Sequence, residues 1–298
     1  MINKARPLSH NNHNKQSVGR PTAIDRLFRF FGSSRVVVFF ALVILVGIAT
    51  IIWASADRPH PQAQRYWIMS HTVLDKMSAN MSARAALAND ILYVTGFSPD
   101  QTTPAEQGLH IIPTRDFTSE TTFARSISSG AIPSYVKAVL YDNEPWQLTP
   151  RNERQNVVFY YQRANEIAHA HRLLLIATPV PSSYSVQVAP YADVVDVQAQ
   201  SEQASVSMYV NHIQSRAQGS RRANPRVVVL SGVSTNPTAG DPTPQQLLDI
   251  ANATFPNTVQ GWWLNIPSPG TACPRCHQPR PDIGISFLSQ LGPNRITP

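Results

Sequence analysis

The chain has 298 residues, 42 % apolar and only 14 % charged, which excludes a disordered protein and allows one large domain or two small ones. Its 25 prolines follow no Gly-x-y period, which excludes collagen, and two cysteines are too few for a disulfide framework. The net charge of +7 is concentrated: residues 1–35 carry seven Lys and Arg against Asp25, a net +6, leaving +1 for everything after them.

In chain order, residues 1–35 read as a basic disordered cytoplasmic tail. A nucleic-acid-binding domain needs its basic face in the folded part, so no nucleic-acid partner is implied. Residues 36–54 follow as a transmembrane signal-anchor. Val36 to Trp53 is 18 residues without a charge, ~27 Å as a helix against a ~30 Å hydrocarbon core. The basic residues all precede it, so the positive-inside rule leaves the N-terminus in the cytoplasm and the rest outside. Ala54-Ser55-Ala56 also fits a signal-peptidase site, and cleavage there would export the same domain. Residues 55–65 form a short stalk with Pro59 and Pro61. The expected location is the cell membrane, single-pass, with the C-terminal domain extracytoplasmic.

Residues 66–298 alternate β-rich runs with helical stretches, the pattern of a parallel sheet. The predicted strands are Tyr66–Ser70, Ile91–Gly96, Leu109–Thr114, Lys137–Asp142, Leu173–Thr178, Asp193–Gln200, Val227–Ser234 and Val259–Asn265. Thr149-Pro150 and Thr243-Pro244 each offer a capping hydroxyl before a proline that can open a helix. Val157, Tyr161, Ala164, Ala168 and His171 fall on one helical stripe; Val206, Val210, Ile213 and Ala217 fall on another. Eight strands in this length predict an α/β fold, a (β/α)8 TIM-like barrel behind one transmembrane helix. The connection 97–108 has room for only one capped turn, Thr103-Pro104-Ala105-Glu106, and an open doubly wound sheet is the alternative.

Barrel enzymes carry their reactive groups at strand C-termini. Strand four ends Tyr141-Asp142-Asn143-Glu144-Pro145-Trp146, and strand alternation puts Asp142 and Glu144 on one side and Asn143 on the other. Two neighbouring carboxylates push one pKa up, giving a general acid beside a charged partner, and Trp146 suits a sugar face. Asp and Glu capping the next helix is the plain structural alternative. Asn143-Glu144-Pro145 resembles the Asn-Glu-Pro signature ending strand four in many retaining glycoside hydrolases of barrel fold, which implies Glu144 as acid/base. Asp142-Asn143-Glu144 is similar to the terminal Asp-x-Glu of chitinase-like barrels, where the substrate's acetamide is the nucleophile; that resemblance implies Glu144 as proton donor and Asp142 as its assistant. The strand-seven stretch 229–236 holds no carboxylate, and Ala138 and Leu140 stand where the chitinase-like motif has its earlier aspartates.

Asp196, Gln198 and Gln200 form a polar row on strand six, suited either to a ligand's hydroxyls or to an internal network. Trp262, Trp263 and Asn265 on strand eight, with Asp116, complete the expected rim; Tyr184 and Tyr191 are lid or surface. Cys273-Pro-Arg-Cys276-His277 reads first as a local disulfide between Cys273 and Cys276, with haem attachment, zinc (with His71 or His110) and thiol redox as alternatives. No metal or cofactor is implied, and phosphate-cradling glycine motifs are absent from the sequence. The reading is a membrane-anchored barrel acting on a glycan or similar polyhydroxy ligand, with a non-catalytic carbohydrate-binding or scaffold barrel as the alternative.

Overall fold

A computed structural model describes residues 63–237, 240–270 and 277–294. Eight parallel strands close on themselves in sequence order: β1 (Tyr66–Ser70), β2 (Ile91–Thr95), β3 (His110–Phe117), β4 (Ala138–Tyr141), β5 (Leu174–Ala177), β6 (Val194–Val197), β7 (Val228–Ser234) and β8 (Gly261–Asn265). The predicted barrel is present, not an open sheet. Its seam is β8 on β1, with Trp67 opposite Trp262 and Ile68 opposite Trp263. Gly261 permits it: a Cβ there would lie 1.8 Å from the Tyr66 carbonyl oxygen.

The outer layer comprises α1 (His71–Ser78), α2 (Met81–Leu87), α3 (Glu120–Ser128), α4 (Arg151–Gln155), α5 (Val157–Ala170), α6 (Ser185–Val188), α7 (Val206–Ala223), α8 (Pro244–Thr254) and α9 (Pro281–Leu291). Between β2 and β3 there is no helix beyond a 3-10 turn at Pro99–Gln101. The buried Glu106 closes the following turn by accepting the Thr103 N–H at 2.8 Å and pairing with His71 at 3.0 Å. Thr243 caps α8 as expected, accepting the Gln246 N–H, with Pro244 in the first turn. Thr149 does not cap α4; its hydroxyl is used in the loop before it.

Period-two alternation divides the strands between two cores. Ile68, Tyr93, Leu140, Ile176, Val194 and Leu230 fill the barrel interior. Trp67, Val94, Tyr141, Leu175, Val195, Val229 and Trp262 point outward against the helices. The α5 stripe buries Val157, Tyr161, Ala164 and Ala168, but His171 is exposed because the helix has ended. On α7 it is Tyr209 that is buried with Ile213 and Ala217, while Val206 and Val210 sit half-buried at the edge.

Residues 1–62, which include the anchor, its tail and most of the stalk, lie outside the described residues, as do Cys273 and Cys276. Among the described residues, no helix is long and apolar enough to cross a membrane.

Candidate active site

The mouth is built where β4, β5 and β6 end. Asp142 continues the β4 ladder, its N–H donating to the Phe117 carbonyl. Alternation turns its side chain inward, the same side as Leu140. Thr178, one residue past β5, donates its hydroxyl to Asp142 Oδ1 at 2.8 Å and to the Tyr141 carbonyl at 3.2 Å. Burial and the neighbouring Glu144 carboxylate push Asp142 well above the usual carboxylate range; the Thr178 bond opposes this, and Asp116 and Asp196 add to it. Burial also raises Glu144. Among the described residues neither carboxyl has a salt-bridge partner.

Asn143 points the other way, into the outer core. Its amide donates to the Tyr141 hydroxyl at 2.9 Å and to the Glu153 carbonyl at 3.2 Å. Buried Glu153 is the hub of that network. It accepts from the Tyr141 hydroxyl at 2.7 Å, the Ser119 hydroxyl at 2.8 Å and the Glu120 N–H at 2.8 Å, so one carboxylate joins the end of β4 to the start of α3. Thr149 accepts from the Glu144 N–H at 3.3 Å and from Trp146 Nε1 at 3.0 Å, folding the loop that carries Glu144 and the half-buried Trp146.

Asp196 ends up deeper than the sequence reading placed it. It is fully buried, level with Leu230 of β7, and among the described residues neither of its oxygens has a hydrogen-bond partner. Burial pushes it up to about 8, so at neutral pH it is chiefly a neutral acid; only its ionised form repels charge on Asp142. The rest of the predicted strand is not strand: β6 stops at Val197, half-buried Gln198 follows, and Gln200 opens a 3-10 turn. That turn folds over β7. Gln203 braces it by accepting the Ser234 N–H at 2.8 Å and donating to the Ser234 carbonyl at 2.6 Å. A Cβ on Gly232 would meet Gln200 Nε2 at 2.4 Å, so the Gln200 amide occupies the space that glycine leaves beside Trp263.

The two strand-eight tryptophans separate. Trp263 lies half-buried against the interior cluster, opposite Gly232. Trp262 is 1 % exposed in the outer core, its ring 5.1 Å from Trp67 and 5.6 Å from Phe255, so it does not line the mouth. Asn265 is half-buried opposite Ser234. Exposed Asp116 ends β3 on the same rim, and the Tyr184 turn follows β5 there, whereas Tyr191 precedes β6 at the opposite end. His110 begins β3 at that opposite end too.

Sequence reasoning missed Thr178, Gly232 and Glu153. The first was legible: it shares parity with Leu174 and Ile176 on a predicted strand. Glu153 was not, because one charged residue among several in Arg151-Asn-Glu-Arg-Gln gives no sign of burial.

No protein-family model and no curated protein matches the chain. Solved structures with similar backbones include one described as native KDPGal, at 11 % identity and TM-score 0.39 over 78 % of this chain and 94 % of that one. Another is an active-site mutant of Rhizomucor miehei beta-1,3-glucanosyltransferase in complex with laminaritriose, at 12 % identity and TM-score 0.40 over 67 % and 86 %. A third is a thiamine phosphate pyrophosphorylase from Pyrococcus furiosus, at 8 % identity and TM-score 0.39 over 78 % and 98 %. Scores this low leave the barrel to be read from its strand pairing.

Proposed function

We propose that the mouth binds a glycan or a related polyhydroxy ligand and cleaves a glycosidic bond, with Glu144 as general acid and Asp142 as its partner, in a domain held outside the cytoplasm by the apolar run 36–53. The carrying observation is the carboxyl pair at the end of β4. Both groups are shifted upward, without a cation among the described residues to neutralise either, and Asp142 is fixed by Thr178. A protonated Glu144 can donate to the leaving oxygen while Asp142 stabilises or orients what develops opposite it. The inward residues of β7 are Val228, Leu230, Gly232 and Ser234, so no second carboxylate faces the pair from there. That favours a reaction in which the substrate supplies its own nucleophile, as an N-acetyl group does. Trp263, Trp146, Gln200 and Asn265 are the proposed ligand contacts.

The test is a screen of chromogenic glycosides, N-acetylhexosaminides included, on the full chain beside Glu144→Gln. Turnover is expected to fall by about 10²–10⁴-fold in the variant, the usual contribution of a positioned acid. Unchanged turnover in Glu144→Gln would remove the catalytic assignment. Saturable glycan binding with no turnover by the parent chain would instead favour a binding protein, the reading that the carboxylate-free β7 supports.

A further inference from the structure

At the base, where helices return the chain to strands, Lys137 precedes β4, Arg172 precedes β5, and Arg222 and Arg226 precede β7. All four are exposed, and among the described residues none is paired with a carboxylate. Two carboxylates at the base, by contrast, are occupied. Asp193 accepts from His169 at 2.9 Å and from the Leu175 N–H at 2.8 Å, and Asp90 is enclosed with Arg65.

Arg172 adds a conformational sign. Helix α5 ends in a Schellman motif: Leu173 N–H bonds the Ala168 carbonyl, Arg172 N–H bonds the His169 carbonyl, and Arg172 has φ 58°. Glycine is the residue that adopts this left-handed position without a steric penalty. An arginine held there keeps a cation on the base against its backbone preference. The middle of the face is a depression of ≈720 Å³ with Tyr66, Tyr93 and Arg226 in its lining. The chain enters the barrel from the same face, through Ala63–Arg65 into β1, 12 residues after the apolar run 36–53 ends.

We infer that this base is a docking face for an anionic phospholipid surface, with the four cations on lipid phosphates and the mouth turned away. The choice of lipid over other polyanions rests on reading 36–53 as a membrane segment; the basic face itself does not. Such attraction is electrostatic, fades beyond a Debye length of ~8 Å at physiological salt, and requires the short tether the sequence provides.

The experiment places the full chain in lipid nanodiscs, either phosphatidylcholine alone or phosphatidylcholine mixed with phosphatidylglycerol, and follows amide hydrogen exchange. Peptides covering 171–173 and 222–227 are expected to slow at least about threefold in the anionic discs only, with the 142–149 peptide unchanged. High salt should abolish the protection, as should the combined variant Lys137→Gln, Arg172→Gln, Arg222→Gln, Arg226→Gln, whose melting temperature reports that it is folded. Equal exchange in the two lipids overturns the proposal while leaving the anchor intact. Loss of the protein from phosphatidylcholine discs in high salt sinks the anchor. Salt-sensitive retention on anionic discs that the combined variant abolishes would then still uphold the face. Binding to duplex DNA that matches or exceeds binding to anionic discs would make it a general polyanion site and overturn the lipid assignment.

Discussion

Both ends of the barrel bury carboxylates and burial raises them at both, but the two ends partner them differently. At the base, Asp90 Oδ2 accepts from Arg65 Nε at 2.6 Å and from Trp67 Nε1 at 2.7 Å, and Arg65 also bonds the carbonyls of Ala86 and Gly292. One ion pair thereby joins β1, α2 and the turn after α9. At the mouth, Asp142 has a threonine hydroxyl, and Asp196 has no partner among the described residues. A buried carboxyl without a partner lowers stability, and evolution removes such groups unless they serve. The contrast separates a stabilising end, whose buried carboxylate is ion-paired, from one whose carboxyls have no such pair among the described residues.

The largest effect should come from Asp196. Its folded-state pKa of about 8 lies above the unfolded value of ~3.9. Below pH 4 both states hold the proton; between pH 4 and 8 only the unfolded state releases it, so stability falls as pH rises across that window. Asp196→Asn does not titrate. Its stability relative to the parent should therefore grow from pH 4 to pH 8, by on the order of 5 kcal/mol for a four-unit shift. Urea midpoints at the two pH values measure this. A pH-independent difference would mean that Asp196 is matched after all, and the contrast between the ends would collapse.

Arg65→Leu should come next, with the opposite sign. Removing one member of a buried pair leaves Asp90 uncompensated and costs about 3–5 kcal/mol. Thermal unfolding would register it directly. A loss below about 1 kcal/mol would place the base pair among weak surface interactions and remove the stabilising end of the comparison.

The strands and their order were legible from hydrophobic runs and turn residues, since β-rich segments separated by helical stripes have few ways to pack. The inward parity of Asp142 was legible for the same reason, whereas Glu144 lies in the loop beyond the end of β4 at Tyr141. What escaped was parity on β8. Trp262-Trp263 is a pair of like residues, and composition cannot say which faces in; the pairing of Ile68 with Trp263 decides it. Strand six was read too long because Gln198 and Gln200 continue the alternation of Asp196, although the chain leaves the sheet after Val197. Local pattern carried no information about the Gln203 brace, which acts across 31 residues.

A smaller effect should follow from Gly232→Ala. The new methyl can be accommodated only if the Gln200 amide moves, and that amide is the end of a flexible side chain, so the fold should barely change. Ligand affinity should drop by about tenfold if Gln200 contributes one hydrogen bond of ~1.4 kcal/mol at the mouth. Isothermal titration with the glycan found in the screen reads this. Unaltered affinity would take Gln200 out of the proposed contacts, leaving Trp263 and Asn265.

The smallest effect belongs to the base surface. His169 and Asp193 form a pair whose side chains are 49 % and 32 % exposed, so water already screens it. Asp193 Oδ2 keeps the Leu175 N–H when the imidazole is removed, so no buried donor is orphaned. His169→Gln should therefore change stability by less than about 1 kcal/mol. For a domain of this size that is ~2–4 °C in melting temperature. The variant should leave glycan turnover untouched, because β4 and β5 stand between this pair and the carboxyls at their far ends. A change in turnover without a change in melting temperature would mean that the base communicates with the mouth through the barrel interior, and the two ends could no longer be treated as independent.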